Sequence, residues 1–524
     1  KPCKLKKVAI ATFLTRRGGD LLAFPLSFHG GGIMKTLNLL ALDLGASNGR
    51  GILGQFDGER VRLQELHRFE NEYIQLHGTV YWDILRLFEN AKAALGAAGK
   101  AGITLDAFGI DTWGVDYGLL DRNGRLLGNV IAYRNMTDAD MERTWVEVSR
   151  RALFERTGIA SMCFNTVYQL HQRKLCDDVV LEQAETLLFL PDLLAYFLTG
   201  EKRTEYTYAT TSMLYDPLKR DWARDILAAL GIPAHIFTDI QPAGSLRGKL
   251  LPAVAQELGL SAAVPFAAVG EHDTASAVAA IPGAGNLAFC SSGTWSLFGV
   301  ETDTPVFSED VYAANFSNEG TVQGGFRPLK NIMGLWIIQE CRRDWNRQGQ
   351  GLGWDDIVRA AEVAEPFRSL IDPDWPAFFM AGGMEGKIRD YCVQTGQPAP
   401  ETVGQVARCV YESLALKYRW TLERLEAIKG GRIDSLHIVG GGSKNRLLNR
   451  MAAGAIHRPV VAGPVEGAAM GNILLQAVAL GELSGIDDVR RVVRSSAEIE
   501  EYLPLDAQAW EDAYGRLLAY MAAQ

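Results

Sequence analysis

A chain of 524 residues is too long for one hydrophobic core, so two or more domains are expected. Its composition, 48% apolar and 22% charged, is that of an ordinary globular enzyme, and the net charge of −9 argues against a nucleic-acid surface. Seven scattered cysteines without a C-x-x-C pair exclude a disulfide framework or zinc site, and no apolar run approaches the roughly 20 residues that span a bilayer. The expectation is a soluble protein of the reducing cytoplasm, with no nucleic-acid and no membrane partner.

The first 33 residues carry Lys1, Lys4, Lys6, Lys7, Arg16 and Arg17 against Asp20 alone, a basic balance opposite to that of residues 34–524. They lack the long apolar centre and cleavage site of a secretory signal. They are expected to be a basic, disordered extension outside the fold, with Met34 as its start. Residues 37–42 then read as a buried strand, and 51–56 as a second that ends at the turn pair Asp57-Gly58. Between them, Asp43-Leu44-Gly45-Ala46-Ser47-Asn48-Gly49-Arg50 puts a carboxylate at a strand tip and a tight small-residue turn behind it. Such a turn exposes backbone N–H groups beside a metal-binding acid, which makes a phosphate cradle. No Gly-Lys-Ser/Thr follows, so it is not a Walker loop, and no G-x-G-x-x-G opens a helix. A loop running from strand into strand points to the nucleotide site of the actin and hexokinase class. The alternative is an ordinary β-hairpin with an aspartate at its mouth.

Further along, a helix is expected after Trp82-Asp83, a strand over 107–111, a hairpin about Asp121-Arg122-Asn123-Gly124, mixed helices over 138–260 and a strand over 262–270. The strand at 107–111 ends in Asp111-Thr112-Trp113-Gly114-Val115-Asp116. There Gly114 would admit a polyol and Trp113 would face its carbon edge, the alternative being a hairpin with a core tryptophan. The strand at 262–270 ends in Gly270-Glu271-His272-Asp273-Thr274-Ala275, just before the expected domain boundary at Pro282-Gly283-Ala284-Gly285. Phosphoryl transfer to a sugar hydroxyl needs a carboxylate to take the proton, and Asp273 is placed for it. The same residue could cap a helix over 274–280.

The strand–turn–strand pattern recurs half a chain later, where 286–291 is an apolar run, Ser292-Gly293-Thr294 a small polar turn and 295–300 a returning strand. Two copies fit two related domains that each give a loop to one nucleotide; two unrelated hairpins are the alternative. Residues 403–429 form a long amphipathic helix with Val406, Val410, Leu414, Tyr418, Leu422 and Leu425 on one face, stopped by Gly430-Gly431. A buried strand at 436–439 ends in Gly440-Gly441-Gly442, bare backbone on which an adenosine can lie. The stretch 463–471 reads as a structural turn and helix start, and Cys392 and Cys409 as free buried thiols. Strands alternate with helices in both halves, so the class is α/β.

These pieces resemble the FGGY family of carbohydrate kinases over about residues 38–505. The most specific are 109–116, 165–170, 272–278, 291–297 and 330–336. The resemblance implies two actin/hexokinase-like (ribonuclease H-like) domains, 34–281 for sugar, phosphate and the catalytic acid and 282–505 for the nucleotide. An interdomain active-site cleft and a helical tail over 506–524 complete it. It implies ATP contacts from Ala46, Ser47, Asn48, Gly49, Arg50, Thr294, Gln339 and Gly441, and ketose contacts from Gly114, His272, Asp273, Thr274 and Asn331. Asp273 becomes the proton acceptor, and Asp43 would hold Mg²⁺, mostly through water. The family's Lys-x-x-Trp signature is absent, with Tyr168-Gln169-Leu170 near its place. That departure implies L-rhamnulose, phosphorylated on its 1-hydroxyl, rather than xylulose or glycerol. L-fuculose, or a non-catalytic nucleotide-gated role, is the alternative. A monomer or homodimer is expected.

Overall fold

The computed structural model describes residues 35–522, so the expectations for residues 1–33 and for Met34 lie outside the described residues. Two sheets organise the fold, and both are built by one rule. The first runs in the order Ser245–Lys249, Pro265–Ala268, Ala107–Thr112, Leu37–Leu44, Asn48–Phe56, Val61–Glu70. Its last three strands form an antiparallel meander, and Ala107–Thr112 and Pro265–Ala268 add in parallel beside the opening strand. The second sheet repeats this. Leu287–Ser292, Ser296–Gly299 and Phe326–Ile332 make the meander, and Ser435–Val439 and Val460–Ala462 add in parallel. Ser317–Gly320 and Glu500–Tyr502 close its two edges. This duplicated meander with parallel additions is the actin/hexokinase-like arrangement.

The connections follow from the topology, because a parallel neighbour needs a crossover long enough to hold a helix. Ile84–Lys100 crosses over to Ala107–Thr112 and starts at Asp83, whose side chain accepts from the Arg86 N–H. Val403–Lys429 crosses over to Ser435–Val439. It opens on a capping box between Thr402 and Gln405 and stops at Gly430, in the left-handed region at φ 69°. Strands covered on both faces should be apolar without alternation, and Leu39, Leu40, Ala41 and Leu42 are all fully buried. The hairpin expected about residues 121–124 is present and short: Leu120 bridges Leu126 antiparallel across the turn, the Leu127 N–H donates to the Leu119 carbonyl, and Asp121 Oδ1 accepts from the Asn123 and Arg125 N–H groups. On its other edge Tyr117–Leu120 pairs with the distant Thr186–Phe189.

One element crosses between the halves. Helix Gly467–Ala479 comes after the strands Ser435–Val439 and Val460–Ala462 of the second sheet yet lies on the first. Its Met470, Ile473, Leu474 and Ala477 share one core with Leu39, Ala41, Ile52 and Ala107. The last helix, Ala507–Ala522, sends Trp510, Tyr514 and Leu517 into the core of the second sheet. Cys392, Cys409 and the other described cysteines are free thiols. Among the described residues, no helix is long and apolar enough to cross a membrane.

Candidate active site

Asp43 stands near the end of its strand in register with Arg50 across the hairpin and with Asp111 on the parallel neighbour. The turn between Asp43 and Arg50 is tight: the Gly45 N–H donates to the Asn48 carbonyl at 2.8 Å, and Asn71 Nδ2 donates to the Gly45 carbonyl at 3.0 Å. Arg50 bridges Asp43, at 2.6 Å, and Glu466, which precedes the crossing helix. Burial opposes the charge of Arg50, but the two carboxylates outweigh it and hold the guanidinium more firmly protonated than usual.

The second turn is held by the helix after it. The N–H groups of Leu335 and Trp336 donate to the carbonyls of Gly293 and Thr294, and Thr294 Oγ1 donates to Gln339 Oε1 at 3.3 Å. The glycine loop packs directly on this turn. A Cβ at Gly442 would lie 2.0 Å from Ser292 Oγ, whereas a Cβ at Gly441 would meet nothing within 4 Å. Packing therefore demands Gly442 and leaves Gly441 bare.

On the other side, helix Asp273–Ala279 has His272 as its N-cap. Asp273 is thus the first helical residue rather than the cap, and its carboxylate faces the cavity, with Oδ1 accepting from the Thr274 hydroxyl at 3.3 Å. The side chain is 34% exposed and lines a cavity. Partial burial in that cavity pushes its carboxyl above the ordinary value, with His272 pulling it down and Asp43 pushing it up. His272 Nε2 lies 3.6 Å from Asp273 Oδ1 and Nδ1 lies 3.2 Å from Glu319 Oε2; Arg327 pairs with the same Glu319 oxygen at 3.2 Å. Burial opposes the Glu319 charge, and His272 and Arg327 outweigh it, holding that carboxyl below its usual value.

Below them, Asp116 accepts from Trp82 Nε1 at 2.6 Å, Trp113 Nε1 at 2.8 Å and the Tyr133 N–H at 2.9 Å. Burial prevails over these bonds and pushes its carboxyl up to about 7. Val115 has φ 70°, a strained value for a β-branched residue. Its carbonyl is held by Thr166 Oγ1 and Gln169 Nε2, both from the stretch 165–170. A Cβ on Gly114 would approach His272 Nε2 only to 3.5 Å. Packing therefore does not demand that glycine, and the space it leaves opens into the cavity.

One cavity of about 420 Å³ gathers both sides. Asp43, Ala46, Ser47, Asn48, Arg50, Gly114, His272, Asp273, Thr274, Thr294, Asn331, Gln339 and Gly441 all line it. Gly49 does not; it is buried beneath Phe69, whose ring a Cβ would meet at 2.2 Å. Glu319, Tyr133, Arg134, Trp336, Arg343 and Glu466 also line the cavity and were missed in the sequence. Trp336 lay inside a quoted motif, and Glu466 inside the stretch read as structural, where it pairs with Arg50 as well as lining the cavity. Glu319 carried no local signal.

Among the described residues, no three His, Cys, Asp or Glu side chains are grouped to hold a metal. Mg²⁺ does not need such a cage, since it takes one or two carboxylates beside phosphate oxygens and waters. Asp43 on the cavity wall, with an unpartnered Oδ1 of Asp111 on the neighbouring strand, fits a cation that arrives with a phosphate.

Residues 38–280 match the N-terminal domain model of the FGGY family of carbohydrate kinases, and residues 288–480 match its C-terminal domain model. The rhamnulokinase of Bacteroides thetaiotaomicron is 43% identical over 479 residues, 91% of this chain and 98% of that one. The rhamnulokinase of Halalkalibacterium halodurans is 38% identical over 470 residues, 90% and 99% of the two chains. Among solved structures, gluconate kinase from Lactobacillus acidophilus superposes with a TM-score of 0.76 at 16% identity, covering 93% of this chain and 98% of its own. Glycerol kinase from Plasmodium falciparum with ADP gives 0.74 at 14% identity with the same coverage. At these identities the structural likeness speaks for the fold alone.

Proposed function

Because the chain belongs to the FGGY family of carbohydrate kinases, and is therefore a sugar kinase, we propose that it transfers the γ-phosphoryl group of ATP to the 1-hydroxyl of L-rhamnulose. The products are L-rhamnulose 1-phosphate and ADP. The observation that carries this reading is the 38–43% identity to rhamnulokinases over about nine tenths of the chain. The same similarity weighs against L-fuculose and against a non-catalytic role.

In this reading the ketose lies against Trp113 and Gly114 and is held by His272, Thr274 and Asn331. Asp273 accepts the proton of the 1-hydroxyl as that oxygen bonds to the γ-phosphorus and the bond from phosphorus to the ADP oxygen breaks. A carboxylate raised above its ordinary value is the stronger base for this. Backbone N–H groups of Ala46, Ser47, Asn48 and Thr294 receive the phosphates, with the side chains of Thr294 and Gln339 beside them, and the nucleoside lies on Gly441. Arg50 turns from Glu466 to phosphate oxygens. A Mg²⁺ at Asp43, mostly through water, would neutralise phosphate charge. The first sheet, in a domain over 34–281, provides the proton acceptor, and the second, over 282–505, most of the nucleotide floor. Free thiols at all described cysteines suit a reducing cytoplasm.

The test is ADP release with Mg·ATP and, in turn, L-rhamnulose, L-fuculose, D-xylulose, L-ribulose or no sugar. Strong preference for L-rhamnulose is expected. Preference for another ketose would overturn the substrate, and no stimulation by any sugar would overturn the reaction.

A further inference from the structure

We propose that Glu319 is a positioning residue for the ketose site, acting through His272. The inference rests on the sugar-kinase reading of the cavity and names a residue that reading does not use. An imidazole has two distinct nitrogens, and what the far one meets decides what the near one can do. In His272 the far nitrogen is Nδ1, 3.2 Å from Glu319 Oε2 and 3.4 Å from Arg327 Nη2. The near one is Nε2, which stands 3.6 Å from Asp273 Oδ1 and beside the space left open by Gly114. With its proton on Nδ1, toward the Glu319 carboxylate, the ring is fixed in one orientation and Nε2 is committed to the cavity.

Glu319 is itself held in place. It faces Arg327 directly across the ladder between Ser317–Gly320 and Phe326–Ile332, and Arg327 Nη2 donates to the oxygen that receives His272. Arg327 is fully buried, and its Nε and Nη1 have no partner. A buried ion pair with unsatisfied donors is a poor stabiliser, and an apolar pair of similar shape would often serve better. What the arrangement supplies is a fixed anionic acceptor behind His272, as outer partners do for metal-bound histidines. Its loss should therefore be felt by the ketose and not by the nucleotide.

Glu319→Gln keeps the shape and removes the charge. At saturating ATP, kcat/KM for L-rhamnulose is expected to fall about tenfold, the scale of one charge-assisted hydrogen bond, while KM for ATP changes less than about twofold. In a His272→Ala background the same substitution should change kcat/KM by less than about twofold, because the residue it acts through is gone. Glu319→Gln/Arg327→Met removes the buried cation with its partner, so folding is protected, and should show the same split between ketose and ATP. Unchanged kcat/KM in Glu319→Gln, an equal loss toward ATP, or an undiminished effect in the His272→Ala background would each overturn the proposal. Wild-type protein that no ketose stimulates would overturn it together with the sugar-kinase reading. An active wild type with an indifferent Glu319→Gln would overturn the proposal alone.

Discussion

Asp273 shows how one residue type acquires a task from its surroundings. Burial raises its carboxyl, the Asp43 charge raises it further and His272 moderates both. Its seat at the first helical position leaves the side chain unspent on capping. Asp273→Asn preserves volume and removes the base, and general-base catalysis supplies about 10²–10⁴-fold. The variant is therefore expected to lose at least about 10² in turnover while KM for the ketose stays within a few-fold. The pH profile belongs to the same residue. Only the ionised carboxylate accepts a proton, so activity should fall as pH drops, with the acid limb displaced upward from the usual aspartate range. Turnover near wild type in Asp273→Asn, measured by ADP release, would end the assignment.

The elements proposed to carry the nucleotide are three loops, and their glycines separate packing from binding. Gly442 touches Ser292 so closely that any side chain must push the glycine loop off the second phosphate turn, whereas Gly441 touches nothing and has an ordinary backbone. Gly442→Ala is accordingly expected to lower stability by roughly 1–3 kcal/mol through overpacking. Gly441→Ala should melt like the wild type yet raise KM for ATP several-fold, because the added methyl occupies the nucleoside's floor. Equal melting shifts in the two variants would show that Gly441 is structural. These loops were legible in the sequence because each is local: in the first two an apolar run, a small polar turn and a returning strand follow one another within 20 residues, and the third is a glycine run ending an apolar strand. The capped helix Val403–Lys429 was legible for the same reason, since its periodicity and its terminal glycine are both near in sequence. The pairing of Tyr117–Leu120 with Thr186–Phe189 was not, because a turn signal at Asp121 foretells the short return at Leu126 and says nothing about which distant strand takes the other edge. Glu319 was hidden in the same way. Its partner Arg327 is near in sequence, but His272, which gives it a purpose, arrives from the other sheet.

At the scale of the whole molecule, helix Gly467–Ala479 ties the two sheets into one cooperative body. It begins beside Glu466, which reaches Arg50 at the phosphate turn. Its Asn472 Nδ2 donates to Asp111 Oδ2 at 2.6 Å, and its Gln476 Nε2 donates to the Leu40 carbonyl at 3.0 Å. Ile473 is fully buried on the first sheet, so close to Gly54 that a Cβ there would meet Ile473 Cγ2 at 2.4 Å. A helix supplied by the second half thus completes the core of the first, and neither sheet keeps its apolar faces covered if the other unfolds. Ile473→Ala removes buried methyl groups at this seam and should cost about 2–5 kcal/mol. The loss is expected as a single denaturation transition at lower urea, followed equally by the tryptophans of the first sheet, such as Trp113, and of the second, such as Trp345. Single-tryptophan versions would separate the two signals. If the first sheet melted early while Trp345 kept its wild-type midpoint, the halves would be independent folding units, and the crossing helix would serve the site without tying the sheets together.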